Sequence, residues 1–146
     1  MSLATQNFIV ERLKQASVFT SVELALGVPD LKKIVILGDA QAWVIELHAS
    51  PDRNIRDIGS PVQREPQVYA VLIGVRNYND PTGGNSVQLL ESMRLAVRQA
   101  VFGLSVGERF DSFTLAGAEL LLFEPECIFW VERFQIAHII DKDNLL

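Results

Sequence analysis

The chain has one cysteine, Cys127, among 146 residues, and only two histidines, His48 and His138. An intramolecular disulfide is excluded, and so is a zinc site built from several cysteines. Neither histidine has a partner three or four residues away on a shared helix face, so neither structural nor catalytic zinc is expected. His48 and Asp52 are at most a chance pair on a loop. Basic residues are also scarce, 13 against 18 acidic ones, for a net charge of -5. Duplex nucleic acid needs a clustered positive surface, so specific nucleic-acid binding is set aside. Long apolar runs are missing too: the longest goes from Val68 to Val75, far short of the roughly 18 residues that suggest a spanning helix. No membrane segment is expected. Met1 to Arg12 lacks the basic start, apolar stretch and cleavage site of a secretory signal, which makes cytosolic residence the default.

What the chain does have is apolar residue, 49% of the total, with a mean hydropathy of +0.20. That is high for a globular domain, where about 45–50% is usual even with glycine counted. A chain of this length buries roughly 68–70% of the surface its unfolded form exposes, so one domain over residues 1–146 can build a full core. With the membrane excluded, the surplus points to contact with another protein.

Ser2 to Ser17, with Ile9, Leu13 and Ala16 on one stripe and no Gly or Pro, predicts an amphipathic helix capped by Ser2 or Thr5. Val18 to Lys33 is broken by Gly27, Pro29 and Asp30 and reads as irregular, with a short strand near Val18-Phe19. Ile34 to Leu37 is a short apolar run, and Trp43 to Leu47 a better strand. His48 to Glu65 has the composition of a long loop or arm, a length that in a compact domain marks function or disorder. Val68 to Tyr78 is apolar on both faces, as a central strand must be. Asn79 to Gly84 is a turn, and Asn85 or Ser86 starts a helix to about Phe102, with Val87, Leu90, Met93, Val97 and Val101 on its stripe and Gly103 as its stop. Phe113 to Phe123 and Cys127 to Ile140 form a hairpin around Glu124-Pro125-Glu126. The expected fold is α+β: a mostly antiparallel sheet of four or five strands with two helices on one face and a long loop between the first two strands. The other face then needs another subunit, unless the segment from Val18 to Leu37 folds across it.

Catalytic chemistry is thinly represented. Gly83-Gly84-Asn85-Ser86 lacks the lysine and the spacing of a phosphate loop and reads as a turn with a helix start. Cys127 follows two glutamates that raise a thiol pKa, the reverse of activation. The pairs Glu124/Glu126 and Asp141/Asp143 sit in turns or tails, where carboxylates are ordinarily solvated. No G-x-S-x-G elbow is present, and no cofactor is implied.

Val71-Leu72-Ile73-Gly74-Val75-Arg76-Asn77, then Asp80 and Gly83, then a helix with Leu90, Leu95-Ala96-Val97-Arg98 and Ala100, resemble the central strand and helix of small tail terminator proteins of Mu-like phages and prophages. Ala116-Gly117-Ala118-Glu119-Leu120-Leu121 and Phe129-Trp130-Val131-Glu132-Arg133-Phe134 are similar to that family's closing hairpin, and Gln63-Arg64 fits as well. The resemblance spans about Ala42 to Ile140. It implies a non-enzymatic structural protein that forms a ring, typically a hexamer, on the tail tube, ends tube polymerisation and meets the neck. The implied partners are further copies of the chain, the tail tube protein and a neck or head-completion protein; the implied locations are the bacterial host cytoplasm during assembly and the virion tail. Arg53, Arg56, Arg64, Trp130 and Arg133 are the candidate partner-binding residues. The alternatives are another tail-completion or neck protein and, from a different class, a small cytosolic enzyme using Cys127 or His48.

Overall fold

The computed structural model describes residues 2–78 and 80–146, Ser2 by its backbone alone. The expected Ser2 cap and the Asn79 end of the turn therefore lie outside the described residues. The chain runs through helix α1 (Ser2–Ala16), strand β1 (Ser21–Ala25), a 3-10 turn at Leu31–Lys33, strands β2 (Ala40–Ala49) and β3 (Gln63–Arg76), helix α2 (Gly84–Val101), and strands β4 (Thr114–Phe123) and β5 (Cys127–Ile140). The strands form one five-stranded sheet in the order β1-β2-β3-β5-β4. Every pairing is antiparallel except β1 with β2. The α+β reading and the largely antiparallel sheet hold.

Alternation along the strands divides the interior in two. Tyr69, Val71, Ile73 and Val75 of β3 point to the helices and form one core with Ile9 and Leu13 of α1, Met93, Val97 and Val101 of α2, and Phe113. Ala70 and Leu72 point the other way, into a second core with Trp43, Ile45, Phe129 and Val131. Both helices thus serve one face. The opposite face is covered by the chain itself, because Leu31, Ile34 and Ile36 lie over it on the crossover between β1 and β2. Val68 to Val75 is consumed by these two internal cores and is not surplus assembly surface. Gly74 makes the second cover possible, since a Cβ there would come within 2.8 Å of Phe129, 3.1 Å of Trp43 and 3.2 Å of Ile36.

Four local expectations are corrected. The early strand is not at Val18-Phe19 but at Ser21–Ala25, where β1 pairs parallel with β2 from Ser21↔Gln41 to Ala25↔Ile45. Parallel neighbours need a crossover of a dozen or more residues, and residues 26–39 supply it without a helix, which is why this stretch looks irregular in sequence. Thr5 is not a cap but a buried residue of α1 that hydrogen-bonds the Tyr69 hydroxyl. Helix α2 is capped neither by Asn85 nor by Ser86. Gly83 takes the cap position at φ 69°, and the Asp80 carboxylate accepts from the Asn85 N–H at 2.8 Å. That hydrogen bond, with those from Thr82, holds the Asp80 carboxyl below the usual range. Val87 faces solvent, and Ser86 and Ala100 join the buried stripe in its place.

Candidate functional site

The hairpin of β2 and β3 does not end with the sheet. Backbone bonds continue from Ser50 N–H to the Pro66 carbonyl at 2.9 Å, from Asp52 to Arg64 at 2.7 Å and from Ile55 to Val62 at 3.0 Å. The Asn54 side chain closes the tip, accepting from the N–H groups of Arg56 and Val62 and donating to the Arg56 carbonyl. The expected loop is thus an ordered two-stranded arm. Gln63 is still paired with Ile140 in the sheet, so only the pair of Ile55 with Val62 and its turn project, roughly 10–13 Å at about 3.3 Å per residue. Its tip is exposed throughout, with Ile55 at 71% and Ile58 at 90%.

The candidate arginines fall in three different places. Arg53 and Arg56 are on the exposed arm, and among the described residues neither forms an ion pair. Arg64 stands at the arm's base, where it reaches Asp111 at 3.0 Å and Asp52 at 3.4 Å; the Asp111 hydrogen bond pushes its pKa up. Arg133 is on β5 and pairs with Glu119 of β4 at 2.5 Å. Trp130 is half-buried under α2, with the Arg94 guanidinium 4.1 Å above its ring.

A charged cluster that the sequence reading did not single out surrounds Trp130. Glu132 is fully buried on the helix-facing side of β5. It accepts from Arg94 Nε at 2.7 Å, from Arg98 at 3.0 and 3.1 Å, and from the Trp130 indole at 3.1 Å. Arg94 and Arg98 are four residues apart on α2, so they reach the same spot. This spacing was the signal available in the sequence. The cluster locks α2 onto β5.

Beyond β5, the outer strand β4 has no strand on its far side. Leu115, Leu120 and Phe123 are each about two-fifths to one-half exposed, at 41%, 48% and 41%. Leu115 also lines a small apolar hollow with Arg98, Gln99 and Phe102. Natural sheet edges are commonly blunted by lysine, proline or bulges; β4 has no lysine or proline, but its register shifts at Leu115/Gly117 and Leu120/Leu122 and it carries Glu119.

A cleft of about 680 Å³ opens at the end of the sheet remote from the arm. Ile34, Val35 and Cys127 give it an apolar wall, with Glu124 and Glu126 on one rim and Lys32 on the other. Cys127 is buried, and burial together with the two glutamates pushes its thiol pKa up. His48 aligns with Val68 and Cys127 with Arg76 on β3, which separates the two by roughly 27 Å at about 3.3 Å per residue. No proton transfer links them. His138 is engaged with Glu65 at 2.9 Å and stacks on Phe110. Among the described residues no cluster of His, Cys, Asp and Glu could hold a metal ion, and no helix is long and apolar enough to cross a membrane.

A search of curated proteins returned no match. The family model described as "Phage tail terminator protein" matches residues 1–144, nearly the whole chain. The chain therefore belongs to the phage tail terminator family, structural proteins of phage tail assembly.

Proposed function

We propose that the subunit closes into a ring, a hexamer, that caps the tail tube, ends its polymerisation and presents a surface to the neck. Assembly takes place in the bacterial host cytoplasm and the ring remains in the virion tail. The observation that carries this reading is the sheet's pair of unlike edges: β4, ten residues long with Leu115, Leu120 and Phe123 partly exposed, on one side and the five-residue β1 on the other. A closed ring is built from heterologous contacts, which need two different patches on every subunit. At about 3.4 Å per residue β4 offers an edge of roughly 34 Å, long enough to run the length of a standard interface.

In this reading Arg53 and Arg56 touch the neighbour directly. Arg64 keeps the arm upright through Asp52 and Asp111. Trp130 and Arg133 hold α2 and β4 in place behind the edge.

The variant Leu120→Lys tests the proposal. It puts a charge on the open edge at a position already half exposed, so fold stability should change by no more than about 0.5 kcal/mol. Sedimentation velocity should show the wild-type chain as a ring and the variant as a monomer. A variant that assembles as fully as the wild type would refute β4 as the contact edge.

A further inference from the structure

The arm and the cleft match each other, yet they cannot meet within one chain. The arm extends from the start of β3 and the cleft lies past its end, where Asn77 binds the carbonyls of Glu124 and Glu126. The fourteen residues of β3 keep them roughly 46 Å apart at about 3.3 Å per residue. We propose that the arm tip of each subunit seats in the cleft of a second copy, making an arm-to-cleft, head-to-tail contact in addition to the one at the β4 edge; this rests on the ring reading above.

The two surfaces agree in shape and in charge. The exposed tip presents Ile55 and Ile58, with Arg53, Arg56 and Asp57 around them. The cleft presents the apolar wall of Ile34 and Val35, with Glu124, Glu126 and Lys32 around it. Two cations and one anion therefore face two anions and one cation. Among the described residues none of these six charged side chains has an ion-pair partner in its own chain. Arg76, the other charge lining the cleft, is already used: it donates to the Ile36 carbonyl at 2.8 Å and lies over the Tyr78 ring. The cleft falls within the roughly 300–1,000 Å³ that suits a small ligand, so it takes the tip side chains and leaves the rest of the arm outside. Each subunit has one donor and one acceptor, and closing the ring leaves neither unfilled.

Charge reversal tests the contact. One variant carries Arg53→Glu with Arg56→Glu, the other Glu124→Arg with Glu126→Arg. Each alone should associate roughly 10- to 100-fold more weakly than the wild-type chain, since like charges now meet at the contact. Mixed in equal amounts they should regain the wild-type sedimentation coefficient, because each arm now meets an opposite-signed cleft; this recovery also shows that both variants are folded. If both variants assemble as well as the wild type, the arm-to-cleft contact is overturned while the ring stands. If they weaken but the mixture does not recover, the arm has another partner and the contact is again overturned. An arm variant that forms normal rings yet fails to bind tail tubes assigns the arm to the tube instead. A wild-type chain that stays monomeric alone and on tube ends removes the ring reading, and this proposal with it.

Discussion

Replacing Glu132 with alanine should destabilise the fold by about 2–4 kcal/mol, the upper end reflecting what removal of one partner from a buried ion pair usually costs. The carboxylate is fully buried and serves two arginines and an indole at once. Its loss leaves the Trp130 N–H without an acceptor and two guanidinium groups facing each other. Arg94 and Arg98 keep about a third of their surface in water, at 31% and 36%, which moderates the penalty. With about 2–4 °C per kcal/mol for a domain of this size, thermal melting should fall by roughly 5–15 °C. Glu132→Gln, which preserves shape and an acceptor for the indole, should cost less than half as much. Equal losses for the two variants would mean that the carboxylate's charge carries the whole effect and that its shape and packing add nothing.

Replacing Gly74 with valine should cost about 3 kcal/mol, at the upper end of what over-packing a core does. Here the added atoms meet Phe129 and Trp43 in the centre of the second core, and those rings cannot move far because they pack against each other at 6.1 Å. Ile36 is the neighbour able to yield, and it lies on the crossover that covers this face. The valine should therefore lift residues 26–39 and open the cleft as well as lower the melting temperature. Hydrogen exchange along that segment should accelerate while α1 and α2 keep their protection. Uniform acceleration over the whole chain would instead indicate global destabilisation.

The strands that build the sheet's centre were legible because burial on both faces leaves an apolar run with no alternation, as in Val68 to Val75. Helix α2 and the closing hairpin were legible for similar local reasons. Strand β1 was not, because its one partner, β2, is reached only across the crossover and an edge strand need not be apolar throughout: Glu23 and Leu24 are exposed. The same crossover decides what covers the second face, a tertiary fact that composition leaves open. The arm was marked by its polar content, but not its order, which depends on the Asn54 side chain and on backbone pairing carried over from the sheet. Glu132 was hidden among apolar neighbours on β5, its arginines far off in sequence. Surplus apolar residue suggested assembly from the start; the structure buries the central strands and leaves the exposed part on β4, the arm tip, the crossover after β1 and the outer face of α2.

The proposed role is to stop a growing tube, and tube length reads it directly. Tail tube protein should be polymerised with and without the wild-type chain and the lengths measured by negative-stain electron microscopy. The expected result is short tubes that cease to grow once the chain is added, each with an extra ring of density at one end. Tubes that lengthen at the same rate with the chain in excess, their ends bare, would contradict it.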